Sequence, residues 1–78
     1  MNVQKAIDRY SLKARSAAIG ISLVQLLRET NKRTGYNVYP TTFSYMRTGH
    51  GSSTRTEKTL EVADQIMCEW EREVAKKD

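Results

Sequence analysis

Residues 37–49 read NVYPTTFSYMRTG, and the fold turns on how that run is taken. Pro40 suits the first position of a helix, where the N–H that proline lacks has no partner to lose. Gly49 suits the stop, because glycine accepts the left-handed backbone that ends helices. Phe43 and Met46 are three apart, so they share one side. The run therefore predicts a helix over 40–48. Phe43, Met46 and Thr42 turn inward, Thr41, Ser44, Tyr45 and Thr48 turn outward, and Arg47 lies near the end. Threonine and serine are middling helix formers, so packing must hold this helix.

Upstream, Ser22 is placed to cap a second helix carrying Leu23, Leu26 and Leu27. Lys32 and Arg33 fall in its last turn, where cations complement the helix dipole. Gly35 follows at the C-cap position, and Tyr36 supplies the apolar contact that often accompanies such an end. Further back, Asn2 caps a first helix in which Val3, Ile7, Tyr10, Ala14 and Ala17 recur at helical spacing, with Gly20 as its stop. Downstream, GHGSSTR (49–55) reads as a flexible loop. Thr54 and Glu57 form an S/T-x-x-E capping box opening a last helix. In it Leu60, Ala63, Met67, Trp70 and Val74 make one stripe, flanked by Val62 and Ile66, and nothing before Lys77 breaks it. The first half of the stripe belongs on the domain core. Met67, Trp70 and Val74 are expected to meet a second subunit, since a tryptophan stripe is hard to leave in water. The expected fold is all-α: one domain over 1–78, compact, of four to five helices, with 57–78 as a long C-terminal dimerisation or packing helix.

Composition narrows the class. The 78 residues are 38% hydrophobic and 28% charged, a balance that folds rather than staying disordered. A chain this short has a marginal core and gains from a partner subunit. The N-terminus MNVQKAIDRY has the wrong composition for a signal peptide, so a cytoplasmic location is expected. Cys68 is the sole cysteine and His50 the sole histidine, which excludes an internal disulfide and argues against structural zinc. Cys68 reads as a buried or half-buried helix residue. There is no Gly-rich phosphate loop, metal motif or carboxylate pair in a plausible cleft. The expectation is no enzyme, no cofactor, no metal and no small-molecule ligand.

Charge is divided along the chain. Residues 1–56 hold nine Lys and Arg against Asp8 and Glu29, net +7, while residues 57–78 hold four basic and seven acidic residues, net −3. A basic body with an acidic end favours an anionic partner for the body.

The stretch VYPTTFSYMRTG (38–49) resembles the recognition helix of lambda-repressor-like (Xre/Cro-type) helix-turn-helix proteins. TEKTLEVADQI (56–66) is similar to the family's following helix, with Thr59, Leu60, Val62 and Ala63 in the usual places. ISLVQLL (21–27) is similar to the start of its scanning helix. Leu23 stands where the family often has a glutamine, and KRTGYN lengthens the turn, so the second helix is expected to be extended. The resemblance implies binding of double-stranded DNA.

Physical chemistry leads to the same partner. A major groove ~12 Å wide admits one α-helix. A helix placed there needs an apolar inner face and an outer face without acids, since phosphates flank it. Residues 30–56 contain no acid. Thr41, Thr42, Ser44 and Tyr45 are the expected base-reading residues, because small hydroxyls permit close approach to base edges. Lys32, Arg33, Arg47, Ser52, Ser53 and Arg55 are the expected phosphate contacts, with His50 ranked last. The leading expectation is a sequence-specific transcriptional regulator of a phage or mobile element, a repressor by occlusion, bound as a homodimer to an inverted repeat. The alternatives are an architectural or recombination accessory protein that bends DNA, or a protein-interaction module of antitoxin or adaptor type working through the acidic C-terminal helix.

Overall fold

The computed structural model describes residues 8–49 and 53–76. Among them are four α-helices and no strand: α1 Leu12–Ala18, α2 Leu23–Thr34, α3 Pro40–Arg47 and α4 Thr54–Lys76. A single 3-10 turn, Arg9–Ser11, leads into α1. The all-α expectation holds. No helix among the described residues is long and apolar enough to cross a membrane.

The ends of α2 are set by local chemistry. Ser22 Oγ accepts from the Gln25 N–H at 3.1 Å, and Gln25 Oε1 accepts from the Ser22 N–H at 2.9 Å, a reciprocal capping box. At the other end Gly35 sits at φ 80° and its N–H reaches the Asn31 carbonyl, as the sequence indicates. Thr30 is fully buried, and its hydroxyl escapes an unpaired state by donating to the Leu26 carbonyl at 2.8 Å. The helix runs to Thr34, so it is extended.

Five residues, 35–39, join α2 to α3, and one side chain fixes their path. Asn31 Nδ2 donates to the Val38 carbonyl at 3.0 Å while its Oδ1 accepts from the Val38 N–H at 3.1 Å. That double bond buries Val38 and delivers Tyr39 as the extended residue before Pro40, which occupies the first helical position.

The first helix departs from expectation. Tyr10 and Ser11 have φ of 60° and 52°, so no continuous helix runs through residue 10. Its inward residues are Leu12 and Ser16, while Ala14, Ala17 and Tyr10 face water. Leu12 offers more apolar area than either alanine and decides which side turns in. Asn2, Val3 and Ile7 lie outside the described residues. Gly20 does follow the helix end, at φ 74°.

The central pair is α2 and α4; α1 packs on both, and α3 on both from another side. Their shared core holds Leu12, Leu26, Leu27, Val38, Phe43, Met46, Leu60, Val62, Ala63, Ile66 and Met67. Each Leu, Ile or Phe so buried contributes about 1.5–3 kcal/mol. From Cys68 to Lys76 no α4 residue is buried. Trp70 still leans on the core edge, and Val74 is exposed. Met67, expected at a subunit interface, is instead 0% exposed inside its own chain, because the body reaches one turn further along α4 than the stripe alone indicates. Cys68 is exposed rather than buried.

The start of α4 is also shifted by one residue. Ser53 Oγ accepts from the Thr56 N–H at 3.1 Å, so Ser53 is the capping side chain, not Thr54. Glu57, freed from that box, pairs with Arg9 at 3.3 Å.

Candidate nucleic-acid interface

On α3 the inner side is Phe43, Met46 and Arg47, all buried. Their spacing of three and four defines a helical face. The opposite side carries Thr41 and Tyr45, with Thr42 also exposed and Ser44 half-buried. Tyr45 is 58% exposed and Tyr39, just before the helix, 65%. The expected arrangement of α3 thus needs two corrections. Thr42 faces out, not in, and Arg47 takes its place inside.

Arg47 is held from two directions. Its guanidinium lies over the Phe43 ring, 5.5 Å from the centroid, and Nη1 donates to Asp8 Oδ1. At 7% exposure it is not a surface cation reaching for phosphate. The i,i+4 spacing of Phe43 and Arg47, with a carboxylate available at Asp8, makes burial of this charge tolerable.

The other expected phosphate contacts divide. Lys32 is exposed. Arg55 is exposed and rests over the Tyr36 ring at 5.0 Å. Ser53 is at the surface but its Oγ caps α4. Arg33 is exposed, yet its guanidinium bonds both Glu29 (3.0 Å) and Glu69 (2.8 Å). Glu69 first and Glu29 second hold that guanidinium above its usual pKa, and Arg33 holds the Glu69 carboxyl below its own. Arg33 is thereby an α2–α4 strut. His50 and Ser52 lie outside the described residues.

Arg28 is a further surface cation that the sequence motifs do not single out. It is exposed on α2, one turn before Lys32 and on the same side of the helix. The i,i+4 interval was available in the sequence. Arg28, Lys32 and Arg55 take no part in an ion pair among the described residues.

The acids of α4 are largely engaged. Arg15 reaches across from α1 to Asp64 and Glu71, each at 2.8 Å, and its Nη2 lies 3.4 Å from Cys68 Sγ. Bonding to Glu71 is the main influence that lifts the Arg15 pKa, and the same bond lowers that of Glu71. No group of three or more His, Cys, Asp or Glu among the described residues is placed to hold a metal.

No family model matches the chain, and no curated protein or solved structure matches it.

Proposed function

We propose that the protein is a small sequence-specific DNA-binding regulator. It uses α2 and α3 as a helix-turn-helix of the lambda-repressor-like kind and inserts α3 in the major groove. The observation that carries this reading is the two-sided character of α3. Phe43 and Met46 anchor it in the core, while Thr41, Thr42 and Tyr45 stand outward on a stretch, 30–56, that contains no acid. A rigidly seated helix offering hydroxyls and no negative charge is what close approach between two phosphate backbones requires. Arg28, Lys32 and Arg55 supply the phosphate contacts, since their charges are not spent inside the molecule. Arg33 and Arg47 leave that role.

Binding as a homodimer, to half-sites about one helical turn apart, would use the exposed end of α4 around Trp70 and Val74. The role assigned is that of a phage or mobile-element repressor acting by occlusion. The rival reading, an acidic α4 docking into a protein partner, loses support because Glu57, Asp64, Glu69 and Glu71 are already paired with arginines. Selection of bound sites from a random duplex pool tests the proposal. Recovery of an inverted repeat supports it. Equal affinity for a selected and a scrambled duplex across a salt series would leave only backbone attraction and end the claim of sequence specificity.

A further inference from the structure

A crevice of about 160 Å³ opens between the first half of α2 and α3, lined by Leu23, Val24, Leu27, Pro40, Phe43 and Arg47. It lies behind α3: at 100° per residue, Pro40, Phe43 and Arg47 fall nearly opposite Thr41 and Tyr45. Its walls are apolar except for Arg47, whose Nε is buried and has no hydrogen-bond partner among the described residues. Asp8 occupies Nη1 alone, and Nη2 makes no bond among the described residues. Nη2 is therefore the nitrogen left for a ligand, while Nε is sealed from water and has to be uncovered to complete the fork that grips a carboxylate through two parallel bonds. An apolar cavity of ~150 Å³ is large enough for one benzene ring.

We propose that this crevice binds a small carboxylate with a compact apolar body. The carboxylate sits on the Nε and Nη2 edge of Arg47, and the hydrocarbon part lies against Val24, Leu27 and Phe43. The local charge is acceptable. Asp8 already balances Arg47, but its side chain is 22% exposed, so water screens it from the newcomer, and the chain as a whole carries +4. A neutral molecule would fill the apolar space but use only one of the two donors. The walls of the crevice are α2 and α3 themselves. Binding there goes beyond the DNA-binding reading and does not depend on it.

The test is a titration of the DNA-free protein with sodium benzoate, followed by ¹H–¹⁵N correlation spectra, with benzyl alcohol as the neutral control. The expected result is saturable shifts confined to residues 22–28 and 38–48, with a dissociation constant on the order of millimolar. Val24→Phe, at an exposed position on the rim, should abolish them while the spectrum stays that of the folded chain. Arg47→Lys keeps the charge but loses the fork, and should weaken benzoate at least tenfold with benzyl alcohol unchanged. Shifts that stay linear up to about 50 mM, that scatter over the basic surface, or that persist in Val24→Phe would overturn the proposal and leave a crevice holding water only.

Discussion

The Asp8–Arg47 pair ties the segment before α1 to the end of α3, and its removal tests the buried role assigned to Arg47. In Asp8→Ala two things are lost. One is the bond that Asp8 Oδ2 accepts from the Lys13 N–H at 2.7 Å, equivalent to a helix cap and contributing about 1 kcal/mol. The other is the partner of Arg47, a residue only 7% exposed. Breaking a fully buried pair costs ~3–5 kcal/mol. Asp8 is itself partly in water, so roughly 2 kcal/mol is the appropriate figure here. The single variant should therefore lose ~3 kcal/mol. Arg47→Met keeps an unbranched chain over Phe43 and leaves an Asp8 that can turn to solvent, so it should cost under about 1 kcal/mol. In that background Asp8→Ala should cost only the cap, ~1 kcal/mol. The coupling energy is then about 2 kcal/mol, against a total of roughly 4–12 kcal/mol for a 78-residue domain. Urea titration of the four proteins by far-ultraviolet circular dichroism reads it as a midpoint shift of about 2 M at a slope near 1 kcal/mol/M. A coupling below about 0.5 kcal/mol would mean a hydrated pair and return Arg47 to the pool of phosphate contacts.

Thr41→Ala and Tyr45→Phe should relax preference at one or two bases by ~1–3 kcal/mol each in competition binding, whereas Arg28→Ala or Arg55→Ala should weaken all duplexes alike and reduce the salt slope by about 1; identical behaviour of the two pairs would refute the sorting. Val74→Glu, on a side chain 41% exposed, should shift sedimentation toward monomer without lowering the melting temperature, and an unchanged profile removes the dimer. Glu69 and Glu71 have depressed pKa values through Arg33 and Arg15, so their stabilisation is complete above the ordinary glutamate pKa, about 4.3, and lost as pH falls through the lowered values. Melting temperature should drop over that acid window, less steeply in the double variant Glu69→Gln, Glu71→Gln, and an equal slope in both proteins would show the pairs to be inert.

The elements that were legible in the sequence are those whose ends are set within a few residues. Ser22, Gly35, Pro40 and Gly49 bracket α2 and α3 because caps and turns act locally. What was illegible depends on residues far apart. Arg47 turns inward on α3, where Asp8, 39 positions away, offers a partner that no local pattern reveals. The inward face of α1 is illegible because alanines carry little apolar weight, so a periodicity resting on Ala14 and Ala17 yields to Leu12 alone. Ser53 displaces Thr54 as cap because both can serve, and Arg9 draws Glu57 away. The burial of Met67 is illegible because a continuous stripe does not say where the body beneath it ends.

The division of charge along the sequence takes on a physical sense once the pairs are known. Arg9, Arg15 and Arg33 carry basic charge of the body to Glu57, Asp64, Glu71 and Glu69 on α4. The acidic end is therefore not a free negative surface; much of it is neutralised where α4 meets its neighbours. Arginine suits such struts, since its planar fork takes carboxylates bidentately, as Arg33 takes both oxygens of Glu69. The cations left outside these pairs include Arg28 and Lys32 on α2 and Arg55 beside the α2–α3 connection. Among the described residues Lys13, Arg28, Lys32, Arg55, Lys58 and Arg72 stand in none of these pairs, so the positive charge that would draw a polyanion lies on α1, α2 and α4. Cutting the struts should then weaken the fold before it weakens the attraction, whereas neutralising Arg28 and Arg55 should weaken the attraction and leave the fold intact.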